Sequence, residues 1–141
     1  MAADYDSTNI FGKILRGEIP SHKLFEDEDV LAIMDVMPQS KGHCLVIPKA
    51  PSRNLLDASD EALAKLLPAA ARLARAAKAA FGADGVFVCQ FNEAPAGQTV
   101  FHLHVHVIPR YEGVDLMRHG SGMADNTVLA EQAEAIRAQL D

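Results

Sequence analysis

The sequence has few cysteines. Cys44 and Cys89 each sit inside an apolar run and form no C-x-x-C pair, so a disulfide framework is excluded and buried reduced thiols are expected. No apolar run approaches the roughly 20 residues that a membrane-spanning helix requires. The opening residues, MAADYDSTNI, carry acids where a secretory signal carries bases followed by a hydrophobic stretch. A cytoplasmic location and no membrane partner are therefore expected. A basic cluster is missing too: the net charge is −6 and the pI about 5.4. Binding a nucleic-acid polymer needs a basic stripe that displaces counterions, so that class of partner is disfavoured. A single nucleotide is not, because a local field of dipoles and donors suffices. There is no internal repeat, low-complexity linker or shift in composition. The 141 residues, 49% apolar and 23% charged, read as one ordinary globular domain. A chain of this length buries roughly two-thirds of its unfolded surface, enough for one core without staples.

Several elements are legible. From Asn9 to Gly17, Ile10, Phe11, Ile14 and Leu15 share a face at helical spacing, with Thr8 or Asn9 as cap and Gly17 as stop. Leu24–Phe25 and Val30–Met34 flank the acidic turn Glu26–Asp29 as a hairpin. A loop over Asp35–Gly42 leads to a third strand, His43–Ile47, stopped by Pro48. The Ala- and Leu-rich stretch Ser59–Phe81 is the strongest helix, ended by Gly82, with Pro68 expected to kink it or mark a late start. Val86–Phe91 and Val100–Ile108 are further strands, the last stopped by Pro109, and Thr127–Leu140 a closing helix. Strands with one long helix between them imply an α+β fold, with helices packed on one face of an antiparallel sheet.

The informative stretch is Phe101-His102-Leu103-His104-Val105-His106-Val107-Ile108. Successive side chains of a strand point to opposite faces. The three histidines thus share one face, and Phe101, Leu103, Val105 and Val107 the other, against the core. One strand histidine is usually a satisfied structural residue. Three in alternation are hard to explain that way, since each buried imidazole needs partners of its own. A metal site is the rival explanation. With zinc–nitrogen bonds of about 2.0–2.1 Å, and His102 and His106 about 13 Å apart at their α-carbons, a straight strand cannot readily bring all three to one ion. A neighbouring pair could, with ligands from elsewhere. Nucleophilic catalysis fits better. A neutral imidazole attacks well at neutral pH provided its other nitrogen is held by an acceptor, and the central ring has a helper on each side.

The run His102-Leu103-His104-Val105-His106-Val107-Ile108 resembles the signature of the histidine-triad (HIT) superfamily of nucleotide hydrolases and transferases. The segments Ile10-Phe11-Gly12-Lys13-Ile14, Gly17-Glu18-Ile19-Pro20, Phe25-Glu26-Asp27, Gly42–Lys49, Asn92-Glu93 and Gly97–Phe101 are similar to the Hint branch in the same order. The likeness covers about residues 9 to 111; residues 112–141, with His119 and the closing helix, form an extension.

The resemblance implies a five-stranded antiparallel sheet with helices, and a homodimer whose sheets join into one. It implies a purine nucleoside phosphoramidate hydrolase acting at the α-phosphate through a covalent nucleotidyl-histidine. His104 would be the nucleophile, His106 the contact to the α-phosphate oxygens, His102 part of the network fixing the tautomer of His104, and His43 a support from a neighbouring strand. Asp35 would bind ribose hydroxyls. Asn92, Gln98 and Thr99 would contact the phosphate or the scissile bridging atom, and Gly97 would allow close backbone approach with amides for the developing charge. Ile10, Phe11, Ile14, Ile19 and Leu45 would form the slot for the base. Ala94-Pro95-Ala96 departs from the glycine-rich turn of Hint proteins, and Thr99 stands where serine is frequent. Some bacterial relatives hold a structural zinc by a C-x-x-C and a histidine; here those positions look like Asn9, Gly12 and Pro51, so no metal or other cofactor is expected. Other readings are a dinucleoside polyphosphate hydrolase using the same nucleophile and a nucleotide-binding scaffold. Uridylyltransferase-like transfer is disfavoured by the short chain and by histidine at the third triad position.

Overall fold

The computed structural model describes residues 4–118 and 122–140; His119 lies outside the described residues. Helix α1 spans Ile10–Leu15 and starts where the Asn9 side chain accepts the Gly12 amide. Strands β1 (Lys23–Glu26) and β2 (Val30–Met34) pair as the expected hairpin. Strand β3 is Cys44–Pro48, helix α2 Asp60–Phe81, strand β4 Gly85–Cys89, strand β5 Val105–Arg110 and helix α3 Asn126–Arg137. The sheet is antiparallel throughout, in the order β1-β2-β3-β5-β4. The expected α+β class is the observed one.

Alternation along the strands divides the side chains between two clusters. On one face Val30, Ala32, Met34, Cys44, Val46, Val105 and Val107 meet Leu66, Leu73 and Ala77 of α2, with Leu129, Ala133 and Ile136 of α3. On the other face Leu31, Ile33, Leu45 and Ile47 meet Phe11 of α1. Both faces are therefore covered, α2 and α3 on one side and α1 on the other. Burial of a side chain such as Leu73 or Ile47, both fully enclosed, contributes roughly 1.5–3 kcal/mol. The closing helix is part of this core: Leu129, Ala133 and Ile136 all lie within it.

Three expectations need correction. Helix α2 runs through Pro68 without a late start, capped by the Ser59 side chain on the Ala62 amide. Proline lacks the N–H that would donate to the Ala64 carbonyl. Pro68 and Ala64 are both solvent-exposed, where an unpaired carbonyl costs less than in the core. Strand β5 begins at Val105 rather than Val100, and it continues through Pro109 to Arg110. Only one of the three histidines, His106, is thus on a regular strand. Residues 100–102 bend out of the ladder, and the Leu103 amide donates to the Ser52 carbonyl instead. Finally, Cys44 is fully buried but Cys89, on the edge strand β4, is half-buried.

Candidate active site

The inward and outward alternation of the histidine segment persists beyond the formal strand. Leu103, Val105 and Val107 enter the core beneath α2, while Phe101 lies under the Arg53 guanidinium, 4.1 Å from its ring centroid. The register Leu45↔His106 places His106 on the α1 face. All three triad rings are at least nine-tenths buried. His104 and His106 line a cleft with Gln39, Phe91, Gly97 and Thr99, whereas His102 does not. The expectation that all three line the sheet surface is corrected to two.

Hydrogen bonds fix the ring tautomers. Nδ1 of His104 lies 2.7 Å from the carbonyl oxygen of His102. A carbonyl only accepts, so Nδ1 carries the proton and Nε2 the lone pair. On the neighbouring rings, the Gln39 amide donates to Nδ1 of His43 at 3.0 Å. The His43 proton is therefore on Nε2, shared between Nδ1 of His106 at 3.0 Å and Oδ2 of Asp35 at 3.3 Å. His106, accepting at Nδ1, then carries its own proton on Nε2. The centroids of His104 and His106 are 5.0 Å apart, edge to face. Phe11 packs edge-on to His104 at 4.8 Å and Phe91 to His106 at 5.6 Å.

His102 has both ring nitrogens engaged: Nε2 donates to the Pro48 carbonyl at 2.7 Å, and Nδ1 accepts the Tyr5 hydroxyl at 2.6 Å. Burial holds its pKa below the ordinary histidine value, a shift opposed by the Pro48 carbonyl and the Asp57 charge.

Asp35, His43 and His106 bring three ligand-type atoms within 4.8 Å of one another. A metal needs a lone pair at each nitrogen. With the Gln39 amide on Nδ1, the facing nitrogen of His43 holds a proton instead, so this donor set is built as a hydrogen-bond relay. The positions of the family zinc are otherwise used: Asn9 caps α1.

The loop before the triad is held from within. The guanidinium of Arg53 grips both carboxylate oxygens of Glu93 at 2.8 and 3.0 Å, which keeps the Glu93 carboxyl below its usual range. Glu93 adopts φ 75°, a conformation rarely taken by residues other than glycine. Gln98 Oε1 accepts from the Glu93 amide and from Asn54, while its Nε2 donates to the carbonyls of Arg53 and Val100. Gly97 sits at φ 104°, which only glycine tolerates readily.

Of the sequence candidates, Gly97 and Thr99 reach the cleft. Gln98 is buried and its side chain is spent on the loop, and Asn92 bonds Gln90 and the Leu55 amide. The Gly97 and Gln98 amides, expected to face the anion, donate to Ala94 and Glu93 carbonyls. Asp35 accepts the Met37 amide on one oxygen and faces His43 with the other. Phe11, Ile14 and Leu45 join the α1-side cluster, Ile10 is exposed, and Ile19 is half-buried outside that cluster. Sequence reading missed Tyr5, Arg53, Asn54 and Phe91, whose partners are remote in the chain, and Gln39, whose amide reaches His43 only through the turn of its loop. Glu93 stood in a family segment without a role.

The HIT domain model matches residues 16–113. The chain belongs to the HIT family. This HIT protein is 45% identical over 102 residues to Protein hit of Bacillus subtilis, spanning 72% of this chain and 70% of that one. It is 43% identical over 108 residues to the adenosine 5′-monophosphoramidase of Saccharomyces cerevisiae, spanning 77% and 66% respectively. A solved Hit-like protein from Bartonella henselae superposes with a TM-score of 0.92 at 52% identity, covering 97% of this chain and 100% of that chain.

Proposed function

We propose that this HIT protein hydrolyses purine nucleoside 5′-phosphoramidates, with His104 as nucleophile. The observation that carries the reading is the 2.7 Å bond from His104 Nδ1 to the His102 carbonyl, which leaves the attacking lone pair on Nε2 of a ring lining the cleft. In the first step Nε2 bonds to the α-phosphorus, the phosphorus–nitrogen bond breaks, and the amine departs with the bonding pair and takes a proton from water. The positive charge on the nucleotidyl-imidazole is balanced by the carbonyl at Nδ1. In this reading His106 presents its Nε2 proton to the phosphate oxygens, and the hydroxyl of Thr99, which lines the cleft, contacts the bridging nitrogen. In the second step water attacks phosphorus, loses a proton to solvent, and returns His104 with release of the nucleoside monophosphate.

The cleft has a volume of about 130 Å³, below the roughly 300 Å³ at which sites enclosing a drug-sized ligand begin. It suits the phosphate and its substituents, and the nucleoside extends beyond it, with the base against Phe11, Ile10, Ile14, Ile19 and Leu45 and the ribose near Asp35. The likeness to the yeast adenosine 5′-monophosphoramidase supports the purine preference in this reading. The reading includes a homodimer: β4 is a sheet edge, and its Phe87 and Val88 are exposed, an arrangement that favours pairing with a second copy. It also includes a cytoplasmic location.

The test is single-turnover hydrolysis of an adenosine phosphoramidate with acid-free mass analysis. A phosphorus–nitrogen adduct at His104 is expected, and His104→Ala should lower turnover by about 10³-fold or more. Unchanged turnover in that variant removes the reading. Faster cleavage of a diadenosine polyphosphate would replace it with the polyphosphate hydrolase.

A further inference from the structure

We infer that Tyr5, outside the segment that resembles the family, is a positioning residue of the triad: its hydroxyl, oriented by Asn9, locks His102 so that the His102 carbonyl can hold the nucleophile.

The Tyr5 hydroxyl is 2.6 Å from His102 Nδ1, and Asn9 Nδ2 donates to the same hydroxyl oxygen at 3.0 Å. The amide contributes an N–H to that oxygen, so the hydroxyl proton is turned toward His102. Nε2 of His102 must donate, because the Pro48 carbonyl 2.7 Å away only accepts. Nδ1 is therefore the acceptor, and Tyr5 is the group that supplies its proton. The rings also meet edge-on, with centroids 5.5 Å apart at 71°. Fixed at both nitrogens and packed on one edge, the His102 ring cannot rotate without breaking a bond. Its backbone carbonyl is the acceptor for His104 Nδ1. A chain of contacts thus runs from the helix cap Asn9 through Tyr5 and His102 to the nucleophile. Asn9 serves twice: its Oδ1 caps α1 by accepting the Gly12 amide, and its Nδ2 orients Tyr5. This couples the seating of α1, which carries Phe11 against the His104 ring, to the tautomer of that ring. Tyr5 touches no reacting atom in this scheme. It acts through His102.

The inference rests on the hydrolase reading for its kinetic consequence, but not for its structural one. Tyr5→Phe keeps the ring and removes only the hydroxyl. With an adenosine phosphoramidate, kcat should fall about tenfold while KM stays within about twofold, the pattern of a lost transition-state arrangement. Two-bond proton–nitrogen spectra of the histidine rings supply a readout that lost packing alone would not move. In the unaltered protein His102 should be protonated at Nε2, with Nδ1 shifted as a hydrogen-bonded acceptor. In Tyr5→Phe that Nδ1 signal should move to the position of an acceptor without a donor, and His104 should lose its uniform Nδ1–H form. Unaltered kcat, or unaltered His102 and His104 signals, overturns the proposal. So does a His102 protonated at Nδ1 in the unaltered protein, which decides the matter even if the variant does not fold. Absence of any phosphoramidate turnover in the unaltered protein would remove the hydrolase reading, and the spectra would still judge Tyr5.

Discussion

Nε2 of His43 lies 3.0 Å from Nδ1 of His106, and the two residues are 63 positions apart in sequence. The proton between them belongs to His43, because the Gln39 amide occupies the opposite nitrogen. A backbone amide in the loop after β2 therefore sets the protonation of a ring on β5, by way of a second ring. Gly42 makes that loop possible: it takes φ 89°, and a Cβ there would stand 2.5 Å from the Phe81 ring.

His43→Ala should destabilise the protein by about 1–3 kcal/mol, since it removes a buried donor from Asp35 and His106. Turnover should fall steeply as His106 loses its fixed tautomer. His43→Gln, whose amide can still donate, should recover part of both. Urea melts beside steady-state rates decide this; an alanine variant as stable as the parent would contradict the relay.

The His102 shift has a signed consequence for stability. Its pKa is lowered on folding, chiefly by burial, so the unfolded chain takes up the proton more readily. Its contribution is complete above the unfolded value of about 6.5 and is lost as pH falls from there through the folded value. Denaturant midpoints should accordingly decline between neutral pH and mild acid, with a shallower slope in His102→Gln. Parallel slopes for the two proteins would show that other groups carry the effect.

Arg53 and Glu93 should behave as one unit. Arg53→Met and Glu93→Gln each release the loop that brings Gly97 and Thr99 to the cleft, so each should lower kcat/KM for the phosphoramidate. The double variant should be little worse than either single one, because contacting residues are non-additive. Strictly additive losses would mean that the pair does not hold the loop.

Catalysis is expected to need no metal. Turnover should survive prolonged dialysis against a strong chelator, and protein purified without added metal should hold far less than one zinc per chain by elemental analysis. Stoichiometric zinc, or activity restored only by zinc, would overturn this.

Much of this arrangement is legible in the chain. Strict alternation over residues 101–107 sorts histidines from apolar residues whatever happens elsewhere, because side-chain direction in extended backbone is local. The same holds for the cap at Asn9 and the stop at Gly82. Pro68 does not mark a late start, because its cost depends on how exposed its turn of the helix is, which sequence does not specify. Strand β5 starts five residues later than the alternation suggests, because residues 100–102 bend and the Leu103 amide bonds Ser52 rather than a sheet neighbour.

The sequence by itself determined the family, the order of the elements and the shared face of His104 and His106, all consequences of local periodicity and short motifs. Only the tertiary structure decided which nitrogen of each ring bears the proton, and that His102 stands apart from the cleft while Tyr5 and Gln39 act on the triad. The tautomers of His102 and His106 follow from the Pro48 carbonyl, the Tyr5 hydroxyl and the His43 ring, all remote in the chain. Those of His104 and His43 follow from near neighbours, the His102 carbonyl and the Gln39 amide, whose local geometry the fold sets.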